Sequence, residues 1–274
     1  MNSNRAIVHS TKGRVHGPIN RLMSPGDLGH QLKPFVFLDY VNAPSQGGPS
    51  FGFHPHSGIA TLTFPLNFGI RHEVSTGQID EVLPRGIEWL IAGEGIWHKA
   101  TPLPSDSPQL QGFQIWFSLP PSHENGPSST LFVAPQEVPK RGSVSVLLGR
   151  YLDATSPIPA PFDASYLWVE LQAGEQLHYA PPTTHNLAWA FVQHGQLQVG
   201  ERQLQSDMVV FEDGHEAILF EAQTDVGFLL GSAARHPHEL VLGYYSVHTS
   251  DDSLARGEAN IAKLGDAMRR STHT

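Results

Sequence analysis

The chain has 274 residues, enough for one large domain or two of medium size, and only 16% of them are charged. With no cysteine, it can form neither disulfides nor thiolate metal sites, and its net charge of -9 argues against a general nucleic-acid surface. No basic run could serve as a membrane patch, no apolar signal core follows the N-terminus and no stretch approaches a membrane span, so a soluble, cytoplasmic protein is expected, and it is taken as a monomer.

The 22 prolines and 26 glycines favour many short strands joined by turns. In chain order, strands are expected over 35–41, 59–64, 88–92 and 112–119, separated by turn signals at 42–44, 83–86 and 102–108. The polar, Pro-bearing stretch 120–129 interrupts the pattern and marks a boundary. A second strand set follows over 143–149, 166–171, 187–192, 196–200, 208–211, 217–220 and 226–231, with a Pro-rich link at 156–161. Both halves run through strand, Gly-bearing turn, strand, short gap and strand, which predicts a structural duplication. From Asp251, the positions of Ile261, Leu264 and Met268 follow helical spacing, with acidic residues at the start and Arg269-Arg270 at the end, as the helix dipole favours.

The strongest chemical signal is Phe53-His54-Pro55-His56-Ser57-Gly58, with a third imidazole, His98, ending Ala92-Gly93-Glu94-Gly95-Ile96-Trp97-His98. Alternate residues of a strand project from one face, so His54 and His56 can turn to one metal. A third imidazole from a neighbouring strand completes a three-nitrogen face suited to Zn, Fe, Ni or Cu. A bare His-x-His is weak evidence in a chain with 16 histidines. The glycines at 52 and 58 and the apolar strand that follows set the first pair apart from His236 and His238, which read as an exposed connection. His178, His185, His194 and His215 lack metal spacing and read as structural, so no metal is expected in the second half.

These motifs together resemble the pirin family of two-domain cupins over most of the chain. Leu32-Lys33-Pro34-Phe35-Val36-Phe37-Leu38-Asp39 is similar to the family's early strand. The stretches 53–58 and 89–98 resemble its two metal motifs, 114–120 the strand that closes the first barrel, and 187–200 part of a second cupin that carries no triad. The resemblance implies an all-β bicupin: two β-barrel (double-stranded β-helix) domains side by side, over 1–121 and 130–274, the second with a short C-terminal helix. It implies metal ligands at His54, His56 and His98, with His72 near the pocket, either orienting a ligand or substrate or standing as a partly buried strand histidine. Strand alternation points Gln114 into the barrel, where it could donate to a bound ligand. The family's fourth ligand, a Glu two residues after the third His, is here Ala100, and a Glu common four residues after the second His is here Ala60. No catalytic residue is thereby assigned.

A carboxylate neutralises part of a divalent charge and three neutral imidazoles neutralise none, so a three-His centre calls for an anionic co-ligand. Lys99 alternates away from it. Glu73, Asp80, Glu81, Glu88 and Glu94 read as solvated turn or strand-edge residues. The resemblance implies a divalent transition metal, Fe(II) before Zn, Ni, Cu or Mn, and three readings of function. The first is a quercetin 2,3-dioxygenase-like enzyme acting on a small aromatic molecule. The second is a regulatory protein that binds a protein partner, without direct nucleic-acid or membrane contact. The third is a degenerate cupin without catalytic metal.

Overall fold

The computed structural model describes residues 5–46 and 51–271. The chain forms two compact units: Arg14–Glu137 with His236–Thr274, and Met1–Gly13 with Val138–Arg235. The expected boundaries at 121 and 130 do not follow this division. Strand pairing explains the N-terminal difference: Ile7–Thr11 pairs antiparallel with Met208–Phe211 and so completes a sheet of the second strand set. The C-terminal difference has the same kind of cause. The helix Asp251–Ser271 was expected with the second half, but it packs on the strand Ile96–Pro102 of the first.

The unit that carries the histidine motif has two antiparallel sheets. The larger runs in the order Ser129–Val133, Ile87–Ile91, Ile59–Pro65, Gln109–Ser118, Phe35–Pro44, Ile19–Met23, Arg14–His16. The smaller runs Phe51–His56, Ile96–Pro102, Ile70–Val74, Ile79–Val82. Side chains from both sheets share its core, among them Val36, Ile59 and Leu90 with Val74 and Ile96, and Ala43 and Leu110 with Ile70 and Val82. Such residues are apolar and mostly β-branched or aliphatic, which is what a pleated surface buries well.

The other unit repeats this plan. Its large sheet runs Ile7–Thr11, Met208–Phe211, Leu187–His194, Val226–Ala233, Ala164–Leu171, Val144–Leu148, Lys140–Arg141. Its small sheet runs Gln176–Tyr179, Ile218–Ala222, Leu197–Val199, Arg202–Leu204. The successive strands from Phe35 to Ser118 and those from Ala164 to Ala233 therefore hold equivalent positions, as the duplication expected. The fold is the bicupin, although backbone hydrogen bonds do not close either barrel. Among the described residues, no helix is long and apolar enough to cross a membrane.

Candidate metal centre

His54, His56 and His98 come together because strand register makes them neighbours. The strands Phe51–His56 and Ile96–Pro102 pair antiparallel, with His98 opposite His54 and Ile96 opposite His56. Same-face alternation then puts three imidazoles on one surface. The ring centres are 5.0 Å apart for His54 and His56, 4.4 Å for His54 and His98, and 5.0 Å for His56 and His98. One ligand nitrogen from each lies within 4.8 Å of the others. Gly58 turns the chain out of this strand at φ +75°, and a Cβ there would lie 2.1 Å from the carbonyl oxygen of Val247. Only glycine fits such a turn at such a close approach.

The hydrogen bonds fix which nitrogen is free. His54 donates through Nδ1 to the Gly52 carbonyl at 2.8 Å, and His56 through Nδ1 to the Tyr245 carbonyl at 3.0 Å. Each ring thus offers Nε2 as a lone pair, the arrangement that ligand histidines use. The Nε2 atoms of His56 and His98 are buried and have no hydrogen-bond partner. Burial, followed by the neighbouring His54, pushes the His56 imidazole down to about 3. Burial and then His56, His54 and His72 hold His98 well below the ordinary histidine range. Burial also lowers His54, against the bond to Gly52. Three converging imidazoles, two of them with a buried nitrogen that has no partner, fit a divalent transition metal.

His72 and Glu88 stand behind His98. His72 Nε2 is 2.9 Å from His98 Nδ1 and 2.8 Å from Glu88 Oε1. Burial is the largest single effect on His72 and works against protonating it, but the charge and hydrogen bond of Glu88 together with the charges of Asp80 and Glu73 outweigh it, and its pKa is raised. Glu88 was expected at a solvated strand edge; it is instead 1% exposed. Its signal was its place as the lone charge in Ile87-Glu88-Trp89-Leu90-Ile91. Glu73, by contrast, forms an ion pair with Lys99 at 2.9 Å, and this contact takes Lys99 away from the cluster. His236 is buried where an exposed connection was expected, and its backbone N–H donates to the Lys33 carbonyl at 3.1 Å; His238 is exposed.

Two cavities meet the histidines. The larger, about 730 Å³, is lined by His54, His56, Phe37, Trp116, Gln114 and Asp39, together with the segment Leu242–Val247. Its wall is an aromatic stack: Phe37 and Trp116 lie 4.0 Å apart at 9°, Trp116 meets the His56 ring edge-on at 4.8 Å, and the Arg21 guanidinium sits 3.9 Å over Phe37. A smaller crypt of about 80 Å³ is lined by His54, Ala100 and Gln114 with Val41, Phe68, Ile70, Leu110 and Phe113. Asp39 borders both spaces and is bound through both carboxylate oxygens by Arg21. Burial raises the Asp39 carboxyl above its ordinary range, against the pull of Arg21.

The strands of the other unit equivalent to the histidine strands carry Leu177, Tyr179, Ile218 and Phe220, all within its apolar core. Its buried histidine, His185, is satisfied at both nitrogens, by Ser232 Oγ at 2.7 Å and Asp163 Oδ1 at 2.9 Å. His178, His194 and His215 belong to neither of the groups of potential metal ligands found among the described residues.

The Pirin family model matches residues 18–117, the span of the histidine cluster. A pirin-like protein of Caulobacter vibrioides is 31% identical over 209 residues, covering 72% of this chain and 74% of that protein. The crystal structure of quercetin 2,3-dioxygenase from Acinetobacter baumannii superposes with a TM-score of 0.85 at 20% identity, over 96% of this chain and 99% of that one. The bacterial pirin YhhW from Escherichia coli, in complex with nickel(II), gives 0.63 at 21% identity, over 85% and 96%. With the bicupin plan and this relative in agreement, the chain belongs to the pirin family.

Proposed function

We propose that this protein is a metal-dependent dioxygenase for a small, planar, ionisable aromatic molecule of the flavonol kind. The observation that carries the reading is the pair of buried, unpaired Nε2 atoms of His56 and His98, which converge with His54 beside a cavity of about 730 Å³. Cavities of this size hold drug-sized molecules, and the Phe37–Trp116 stack offers an aromatic face for a ring. The chemistry named for the Acinetobacter structural neighbour, quercetin 2,3-dioxygenation, suits such a site. His54, His56 and His98 would hold the ion, with Fe(II) as the proposed metal and nickel(II) a second candidate, given the YhhW complex.

The ion, when bound, supplies Lewis acidity toward a deprotonated hydroxyl and a site for dioxygen. The protein's residues do the rest. Ala100 brings no negative charge to the cluster, so a substrate oxyanion would balance the charge of an ion held by the three histidines. Asp39 is the one carboxylate among the residues lining the two cavities. Burial raises its proton affinity, and it accepts the proton that the substrate hydroxyl gives up. Gln114 donates to the substrate carbonyl, and the apolar crypt beside Ala100 keeps bulk water from the reacting edge.

Metal analysis of the purified protein, with oxygen uptake measured against a flavonol, tests the reading. Bound metal with flavonol-dependent uptake is expected, together with at least a tenfold lower turnover in Asp39→Asn, since a positioned base contributes about 100-fold or more. Metal without uptake favours the regulatory, partner-binding role, and absence of metal removes the enzymatic reading altogether.

A further inference from the structure

His54 borders two spaces whose linings differ. Asp39, His54 and Gln114 border both, whereas Val41, Phe68, Ile70, Ala100 and Leu110 border only the smaller, the crypt of about 80 Å³. Strand register explains the division. On the larger sheet Trp116 stands opposite Phe37, Gln114 opposite Asp39 and Thr63, and Gly112 opposite Val41 and Pro65. Opposed residues share a face and alternate residues repeat it, so an aromatic row, a polar row and an apolar row follow one another along that face. On the smaller sheet His98 is followed on the same face by Ala100 and Pro102, with Ile70 opposite Pro102. Val41, Gly112 and Pro65 from one sheet and Ile70, Ala100 and Pro102 from the other all border the crypt.

The size and walls of the crypt select its occupant. A cavity of about 150 Å³ with aliphatic and aromatic walls stays dry and takes up benzene or xenon. At about 80 Å³ the crypt is too small for an aromatic ring and large enough for a diatomic molecule. A buried water needs about two to four polar partners, and the side chains of Val41, Phe68, Ile70, Ala100 and Leu110 offer none. Phe68, Ile70 and Leu110 are core residues, with Val41 and Ala100 packed against them, so packing holds the walls in place. We propose that the crypt is a dioxygen-holding site: its apolar walls draw dioxygen out of water and keep it beside His54, at the edge of the cavity that takes the aromatic molecule. Ala100 keeps it open, because a longer side chain at position 100 would project from the same face into it. The inference rests on the dioxygenase reading given above.

The test uses xenon as an apolar probe of the full-length, metal-free protein, followed by NMR of isotope-labelled methyl groups. Xenon is expected to shift the methyl resonances of Val41, Ile70 and Leu110 and to leave those of Leu242, which borders only the larger cavity, in place. Ala100→Val narrows the crypt and should abolish these shifts. In the metal-loaded enzyme the same variant is expected to raise the KM for dioxygen about threefold or more, with the KM for the flavonol unchanged. Val41→Leu, which fills the crypt from the other sheet, reads the same two quantities if Ala100→Val does not fold. Absence of a xenon shift at these residues in wild type, or a wild-type KM for dioxygen in the variants, overturns the inference and leaves the dioxygenase reading standing. A metal-loaded wild type without flavonol-dependent oxygen uptake overturns that reading and the inference with it.

Discussion

At the scale of single residues, what marks this cluster is unmet valence on imidazoles that converge; His236 Nε2 is also buried without a partner but belongs to neither group of potential ligands among the described residues. His185 and His248 are as deeply buried, but each is bonded at both ring nitrogens, His248 to Ser57 Oγ at 2.9 Å and Ser253 Oγ at 2.8 Å. His56 and His98 each keep a buried nitrogen without a partner, and an unsatisfied buried polar atom costs about 1–3 kcal/mol. A consequence appears in the pH dependence of the metal-free protein. His56 falls from an ordinary 6.5 to about 3 in the folded state. Its pKa is depressed, so the unfolded chain binds the extra proton first. The stability it contributes is complete above about pH 6.5 and is lost as pH falls toward 3. His98 acts in the same direction. His72, with a raised pKa, acts oppositely: its contribution is present below 6.5 and is lost as pH rises past its folded value. Urea midpoints of metal-free protein are expected to drop between pH 6.5 and 4, and His56→Gln should flatten that drop.

Among the elements, the C-terminal helix does more than cover a sheet. Trp97 donates through Nε1 to the Ile261 carbonyl at 2.8 Å, and Asn260 donates to the Glu94 carbonyl at 3.3 Å. Two helix glycines permit the approach: a Cβ at Gly265 would lie 2.7 Å from the Trp97 ring, and one at Gly257 would lie 2.5 Å from Ser57 Oγ. The helix thus rests on residues adjacent to His56 and His98. The segment before it supplies the Tyr245 carbonyl that orients His56. Gly265→Val is therefore expected to displace Trp97 and the His98 strand with it. Overpacking of this kind costs about 1–3 kcal/mol. Thermal melting should show that loss, and Ni(II) titration a weaker site; a variant unchanged in both would mean that the helix does not support the metal strands.

For the whole molecule, the chain closes each unit with a segment from outside its main run. In the unit built on Val138–Arg235, that segment is the N-terminal strand. Arg5, 3% exposed, anchors it by donating to the carbonyls of Glu212 at 3.0 Å and Asn186 at 3.1 Å. Deleting residues 1–13 would strip the pairing from Met208–Phe211 and leave an open, apolar sheet edge, a template for aggregation. A lower melting temperature and greater light scattering on heating are expected of the truncated protein, whereas the Arg5→Lys variant should keep the strand and lose only part of the stability.

Local sequence alone carries the elements and the histidine motif. Alternating apolar residues, turn glycines and prolines place the strands at 59–64, 187–192 and 208–211 within a residue or two of where they form. The spacing of His54 and His56 is legible because same-face projection in a strand is a local property. Tertiary structure decided what depends on pairing between distant segments. Glu88 looked like an edge carboxylate until strand pairing placed Thr63 beside it and burial brought it against His72. Ala100 reads in the sequence as a lost ligand, and only register shows that it faces His72. His236 looked exposed until its backbone met Lys33, and the tail seemed to follow the second domain until it packed on the first. Periodicity is written in neighbouring residues, whereas register, burial and the partner of a buried charge are set by contacts hundreds of residues apart in places, as between Arg5 and Glu212.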